Sequence, residues 1–221
     1  MVVWEFILET GSPGLRTLDQ YFLERSSLHN IMPLFLTYLV MGAAGFVGSI
    51  GLVHTYGAGQ GLIAETVKLS AAIYFFCSYW LWSATWIVQH KITLLAENPA
   101  SPSDDLLQIF AASDALWSLA GWGSFGPGIV LYAGAAWLLS RGARMLPRAA
   151  AGLMAALAVS QFLSFLFVGL RGFGVTNVEG AGFDFAFLND ILFTVGRILA
   201  FLFAAAALYT EKGIFVRSRR G

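Results

Sequence analysis

Charge is what this chain has least of. Only 12% of its 221 residues are Asp, Glu, Lys or Arg, against roughly 25% in an average soluble domain. A soluble fold of this length would lack the polar side chains to clothe its surface. Cysteine is scarce too. Cys77 stands alone, so an intrachain disulfide is excluded and no redox compartment is implied. An excess of either sign is also missing: the formal net charge is zero, which gives nucleic acid no electrostatic footprint. Residues 1–14 lack a basic stretch followed by a long apolar one, so no cleavable signal is expected and the first span itself directs insertion.

What is present is apolar. Hydrophobic residues make up 57% of the chain, with 19 Phe, seven Trp and seven Tyr. Lipid tails remove the need for a polar exterior, and Trp and Tyr favour the headgroup layer. An integral membrane protein is expected, all-α in class and built as a bundle of six transmembrane helices.

Apolar length and polar interruptions mark the spans. They run over about 31–53, 62–88, from after Ser101–Asp105 to Gly121, 127–140, 149–170 and 185–210. The stretch Gly121-Trp-Gly-Ser-Phe-Gly-Pro-Gly128 reads as a tight loop between the third and fourth spans. Three parts follow: a cytoplasmic interfacial segment over 1–30, a transmembrane domain over 31–210 and a basic tail over 211–221. In the first part, Leu15, Leu18, Phe22 and Arg25 recur at helical spacing. This pattern fits a helix lying on the membrane surface or a docking segment for a partner.

Charge gives the parse a direction. With six spans, the side of the N-terminus holds Arg16, Arg25, Lys91, Arg141, Arg144, Arg148, Lys212, Arg217, Arg219 and Arg220. Arg171 alone lies outside, while Lys68 and Arg197 fall within spans. Both termini are therefore expected in the cytoplasm, in a bacterial inner membrane.

Ionisable residues inside spans are costly and mark either function or internal pairing. Glu65, Lys68, Asp114, Asp190 and Arg197 stand out, with Asn189 beside Asp190. At about 1.5 Å per residue, Lys68 and Asp190 come out level near the outer side, and Arg197 comes level with Asp114 near the midplane. One face of the sixth span, carrying Asn189, Asp190, Thr194 and Arg197, is expected to point inward. It serves either a polar cavity for a small ligand or protons, or two buried ion pairs that brace the bundle.

Aromatic residues crowd the second span, with Tyr74, Phe75, Phe76, Tyr79, Trp80, Trp82 and Trp86; Trp117 follows in the third. Tyr74, Tyr79, Trp80, Trp82, Trp86 and Trp117 are candidates for a pocket around a flat apolar cofactor. Lipid contact and ordinary packing account for the same residues. His29 and His90 share a side and are weak candidates for haem ligands, but both sit at span ends where water satisfies them. No CxxCH, HExxH or phosphate-loop motif occurs, so the sequence requires no cofactor or metal. Small residues at Gly42, Ala44, Gly48 and along 151–158 permit close helix approach.

The stretch from Gly126 to Arg141, ending in Ser-Arg, is followed by Leu146-Pro-Arg148 and an Ala/Gly/Leu-rich helix. It resembles a family of uncharacterised six-span bacterial membrane proteins. The resemblance implies six helices and brings no activity with it. Two functions remain open. One is a non-catalytic membrane subunit or scaffold, packed with other membrane subunits or copies of itself and holding lipid or an apolar cofactor. The other is a small transporter or ligand-binding protein with a polar pathway on the second, third and sixth spans. A missing nucleophile–base constellation argues against an enzyme.

Overall fold

A computed structural model of the protein describes residues 22, 23, 25–27, 32–172 and 195–210, and every regular element among them is helical. The long elements are α1 (Met32–Tyr56), α2 (Gly61–Thr93), α3 (Asp104–Ser140), α4 (Met145–Gly172) and α5 (Val195–Thr210). Three stretches, Phe35–Tyr56, Gly61–Thr93 and Met145–Leu163, are long and apolar enough to cross a membrane. Their outward side chains are themselves apolar, including Val47, Leu62, Leu69 and Val159. Lipid is the only solvent in which such a surface is at rest, and the chain is a membrane protein.

The loop expected at Gly121–Gly128 is absent. Residues 104–140 form one helix with Pro127 inside it, so the expected third and fourth spans are two parts of α3. In water, this run of glycines and a proline would end a helix. In lipid, unsatisfied backbone groups cost several kcal/mol each, which favours keeping the helix intact. The glycines act instead as contact points. A Cβ at Gly128 would lie 2.9 Å from the Tyr74 ring, and one at Gly123 would lie 3.6 Å from the Cys77 sulfur. The N-terminus of α3 is capped by Ser103, whose Oγ accepts the Leu106 N–H at 3.5 Å, and Asp104 and Asp105 suit the first turn.

A π-helical turn over Phe76–Leu81 interrupts α2, and the Trp82 N–H reaches back to the Cys77 carbonyl. Before it, the buried stripe runs Ala64, Val67, Ala71 and Tyr74; after it, the stripe continues at Tyr79, Ser83, Trp86, Gln89 and Thr93. An unbroken helix would have continued the first stripe one residue earlier. The π-turn absorbs one extra residue and keeps α2 facing inward along its whole length.

The helices divide between two compact units, one made of 1–44 with 75–124 and the other of 45–74 with 125–221. In the second unit, Val67 of α2 lies against Gly134 of α3, and Tyr74 lies against Gly128, so these two helices run antiparallel. Gly51 of α1 meets Leu208 of α5, and Gly196 of α5 meets Leu157 of α4. Ala200, Ala204 and Ala207 are buried at helical spacing and let α5 approach closely. The turn from α1 to α2 closes through the Gln60 N–H to the Gly57 carbonyl, with Gly59 at φ +76°, where a side chain would strain. This turn and the one joining α3 to α4 emerge from the same end of the unit, not from opposite sides as the six-span parse expects.

Gly128→Ala is expected to lower stability by about 1–3 kcal/mol through overpacking against Tyr74. Gly126→Ala, where nothing lies within 4 Å, is expected to be neutral or stabilising. Melting temperatures of the two variants in mild detergent check the contrast.

Candidate functional site

Two buried polar centres stand out among the described residues, one in each unit. The first lies where residues 22–27 meet the end of α2 and the start of α3. Phe22 is fully buried and sets its ring edge-on to Phe110 at 5.1 Å between centroids, with Ile92, Leu106 and Leu107 around it. Arg25, one turn later, is also buried, and its guanidinium sits 3.8 Å from the centroid of the Trp86 ring. Its carbonyl faces His90 Nδ1 at 3.1 Å. Trp86 and His90 are four residues apart and share one face of α2, so Arg25 bridges them with side chain and backbone at once. Cation–π attraction strengthens as the cation loses water, and this one is desolvated. Gln89 and Thr93 complete the buried face, and Thr93 Oγ1 donates to the His90 carbonyl at 2.8 Å. The Trp86 Nε1–H is buried and meets no hydrogen-bond acceptor among the described residues.

The second centre lies between α2 and α3. Tyr132 donates its hydroxyl proton to the Tyr74 hydroxyl at 2.9 Å, and the two rings meet edge-on at 5.5 Å. Both residues are fully buried, and Gln161 of α4 approaches the same Gly128 position. A hydroxyl pair in an apolar core needs this kind of mutual satisfaction. Neither centre aligns a nucleophile with a base; each ties one helix to another.

The residues singled out from the sequence are distributed more widely than expected. Lys68 pairs with Glu65 one turn away, Nζ to Oε1 at 2.7 Å, and both side chains are exposed. Asn189 and Asp190 lie outside the described residues, as do His29 and the side chains of Asp114 and Trp117. Arg197 is half-buried near the start of α5. Among the aromatic candidates, Tyr74 belongs to the hydroxyl pair. Tyr79 and Trp82 pack on Tyr38 of α1, and the Trp80 Nε1–H donates to the Leu39 carbonyl at 3.3 Å. Gly42 is the point of contact there, since a Cβ would lie 2.9 Å from Trp80 and from Tyr79. These aromatics are spent on joining α1 to α2. Among the described residues, no group of three or more His, Cys, Asp or Glu is placed to hold a metal.

No family model, curated protein or solved structure matches this chain. Sequence reasoning missed Gln161, the pairing of Tyr132 with Tyr74 and the packing of Arg25 on Trp86 and His90. The signal for Gln161 was available, as a lone amide within an apolar helix; Arg25 read as part of an amphipathic N-terminal helix, facing the membrane surface or a partner. The described part of the amphipathic N-terminal face, Phe22 and Arg25, packs on the chain's own α2 and α3.

Arg25→Ala and Trp86→Ala are each expected to speed amide hydrogen exchange over residues 22–27. The double variant should add little to either single one, with a coupling of about 1–2 kcal/mol. Strict additivity in a double-mutant cycle would remove the clamp.

Proposed function

We propose that the protein is a non-catalytic membrane subunit or scaffold that packs with other membrane chains or copies of itself and carries lipid on its apolar faces. The observation that carries this reading is the closure of its polar groups onto one another. The Tyr74 and Tyr132 hydroxyls pair, Arg25 closes onto Trp86 and His90, and Lys68 closes onto Glu65. Hydroxyls elsewhere in the helices donate to carbonyls three or four residues back, as Thr37, Ser49, Thr55, Thr66 and Ser113 do. Among the described residues, polarity used in this way braces helices and leaves few groups for a pathway.

Helix length bears on Lys68 as well. At about 1.5 Å per residue, the 33 residues of Gly61–Thr93 extend roughly 50 Å, well beyond a hydrocarbon layer of about 30 Å. Glu65 and Lys68, in the second turn, then sit at headgroup level, where an exposed ion pair costs little.

We further propose an orientation. With α3 as one helix, α1 to α5 make five crossings, and the charges sort by end. One end carries Arg141, Arg144 and Arg148 with the Glu65–Lys68 pair, and the sequence beyond α5 adds Lys212, Arg217, Arg219 and Arg220 with Glu211. At the other end, the described residues Arg25 and Lys91 stand with Glu97, Asp104 and Asp105. The basic end belongs in the cytoplasm. The C-terminal tail is then inside and the N-terminal segment outside, in place of two cytoplasmic termini.

Glu65→Gln, Lys68→Gln and the double variant are expected to fold within about 1 kcal/mol of wild type, and the extracted assembly should exceed the 23.9 kDa of one chain. A lone chain that drives solute or proton flux in vesicles, lost in Lys68→Gln with folding intact, would overturn the scaffold in favour of a transporter. For orientation, single cysteines at Ser101 and Arg144 in a Cys77→Ala background should react with an impermeant thiol reagent from opposite sides. Labelling from one side restores six spans.

A further inference from the structure

Among the described residues of the second unit, the most strongly charged patch lies at the turn between α3 and α4, and the orientation proposed above draws only on its sign. Arg141, Arg144 and Arg148 are all exposed there. The sequence from 115 to 178 contains no Asp or Glu. Among the described residues, no carboxylate lies within ion-pair distance of any of the three arginines; the ion pair that is present joins Lys68 to Glu65.

The turn is held in shape by its own backbone. The Arg141 and Gly142 N–H groups donate to the Leu138 and Leu139 carbonyls at 3.3 and 3.0 Å. Gly142 lies so close to the buried Pro147 ring that a Cβ there would meet it at 2.5 Å. Arg148 Nε donates to the Gly142 carbonyl at 3.3 Å, which directs the rest of its guanidinium outward. Pro147, in the first turn of α4, needs no N–H partner and fixes the helix start.

The surroundings of the patch are those of a membrane surface. Trp137, 53% exposed, lies one turn before Arg141, and Met145, 88% exposed, follows Arg144. Tyr209, 82% exposed, ends α5 at the same end of the unit as this turn. Exposed Trp and Tyr settle at the headgroup layer, so the arginines sit among headgroups with an apolar side chain beside them for an acyl chain.

We propose that the α3–α4 turn is a docking site for the phosphate headgroup of an anionic phospholipid. Guanidinium forks match phosphate oxygens two at a time, and basic clusters at a cytoplasmic membrane edge recruit anionic lipid. The headgroup supplies a negative charge that no described residue places within ion-pair distance of these arginines. The site names the lipid carried under the scaffold reading and rests on that reading only for the chain's place in a bilayer.

The test uses the full chain in mild detergent, offered phosphatidylglycerol or phosphatidylcholine, with retained lipid counted by native mass spectrometry. Wild type should retain phosphatidylglycerol in preference to phosphatidylcholine. The triple variant Arg141→Gln, Arg144→Gln, Arg148→Gln should lose about tenfold or more of that retention, and Lys91→Gln, at the other end of α2, should lose none. Arg144→Gln alone removes an exposed side chain with no hydrogen bond, so it keeps the fold and should lose roughly fivefold. Equal retention of both lipids, equal retention by the variants, or displacement of the lipid by millimolar inorganic phosphate would overturn the proposal. A wild type that shows no lipid preference but keeps its assembly mass counts against this site alone. An assembly that falls to a single chain counts against the scaffold reading alone.

Discussion

A buried backbone in lipid has no water to turn to, and this constraint lies beneath every element described. It keeps α3 helical across four glycines and a proline, and it sends the hydroxyls of Ser and Thr back to their own helix. With the backbone so committed, helices join only where side chains permit close approach. Gly128 against Tyr74, Gly134 against Val67 and Gly42 against Trp80 are such places. The hydroxyl pair of Tyr74 and Tyr132 follows from the first of them, because the missing side chain at Gly128 lets the two rings meet.

Much of the architecture was legible in composition. Sparse charge and long apolar runs predict membrane helices, and the ends of α1, and the start of α4 with its early proline, fall close to where polar interruptions place them. The region 121–128 was misread for a physical reason. Glycine and proline break helices by exposing backbone to competition from water, and that competitor is absent here. Merging two expected spans changes the parity of the crossings, so the side of the N-terminus turns on the reading of this one short stretch.

The candidate site was legible only in part. Aromatic density on α2 was visible, but its division of labour was not, because the π-turn shifts the inward stripe by one residue midway. A fixed helical period therefore spreads the same residues around the helix. The pairing of Lys68 with Glu65 follows the simplest local rule, one turn of helix, whereas depth estimates from span ends favoured a distant partner. Local pattern set Arg25 on an amphipathic helix but could not supply its partners. Its partners Trp86 and His90 lie more than sixty residues away in the chain, and only packing brings them to it.

The three arginines of the α3–α4 turn also give the molecule an electrical direction. Moving one positive charge across a membrane against a potential of 100 mV costs about 2.3 kcal/mol, before any cost of entering hydrocarbon. A hairpin with several such charges at its tip does not invert once it has been laid down. In the orientation proposed above, the resting voltage of the membrane acts on this turn as a one-way catch, holding the helices on either side of it in a fixed sense.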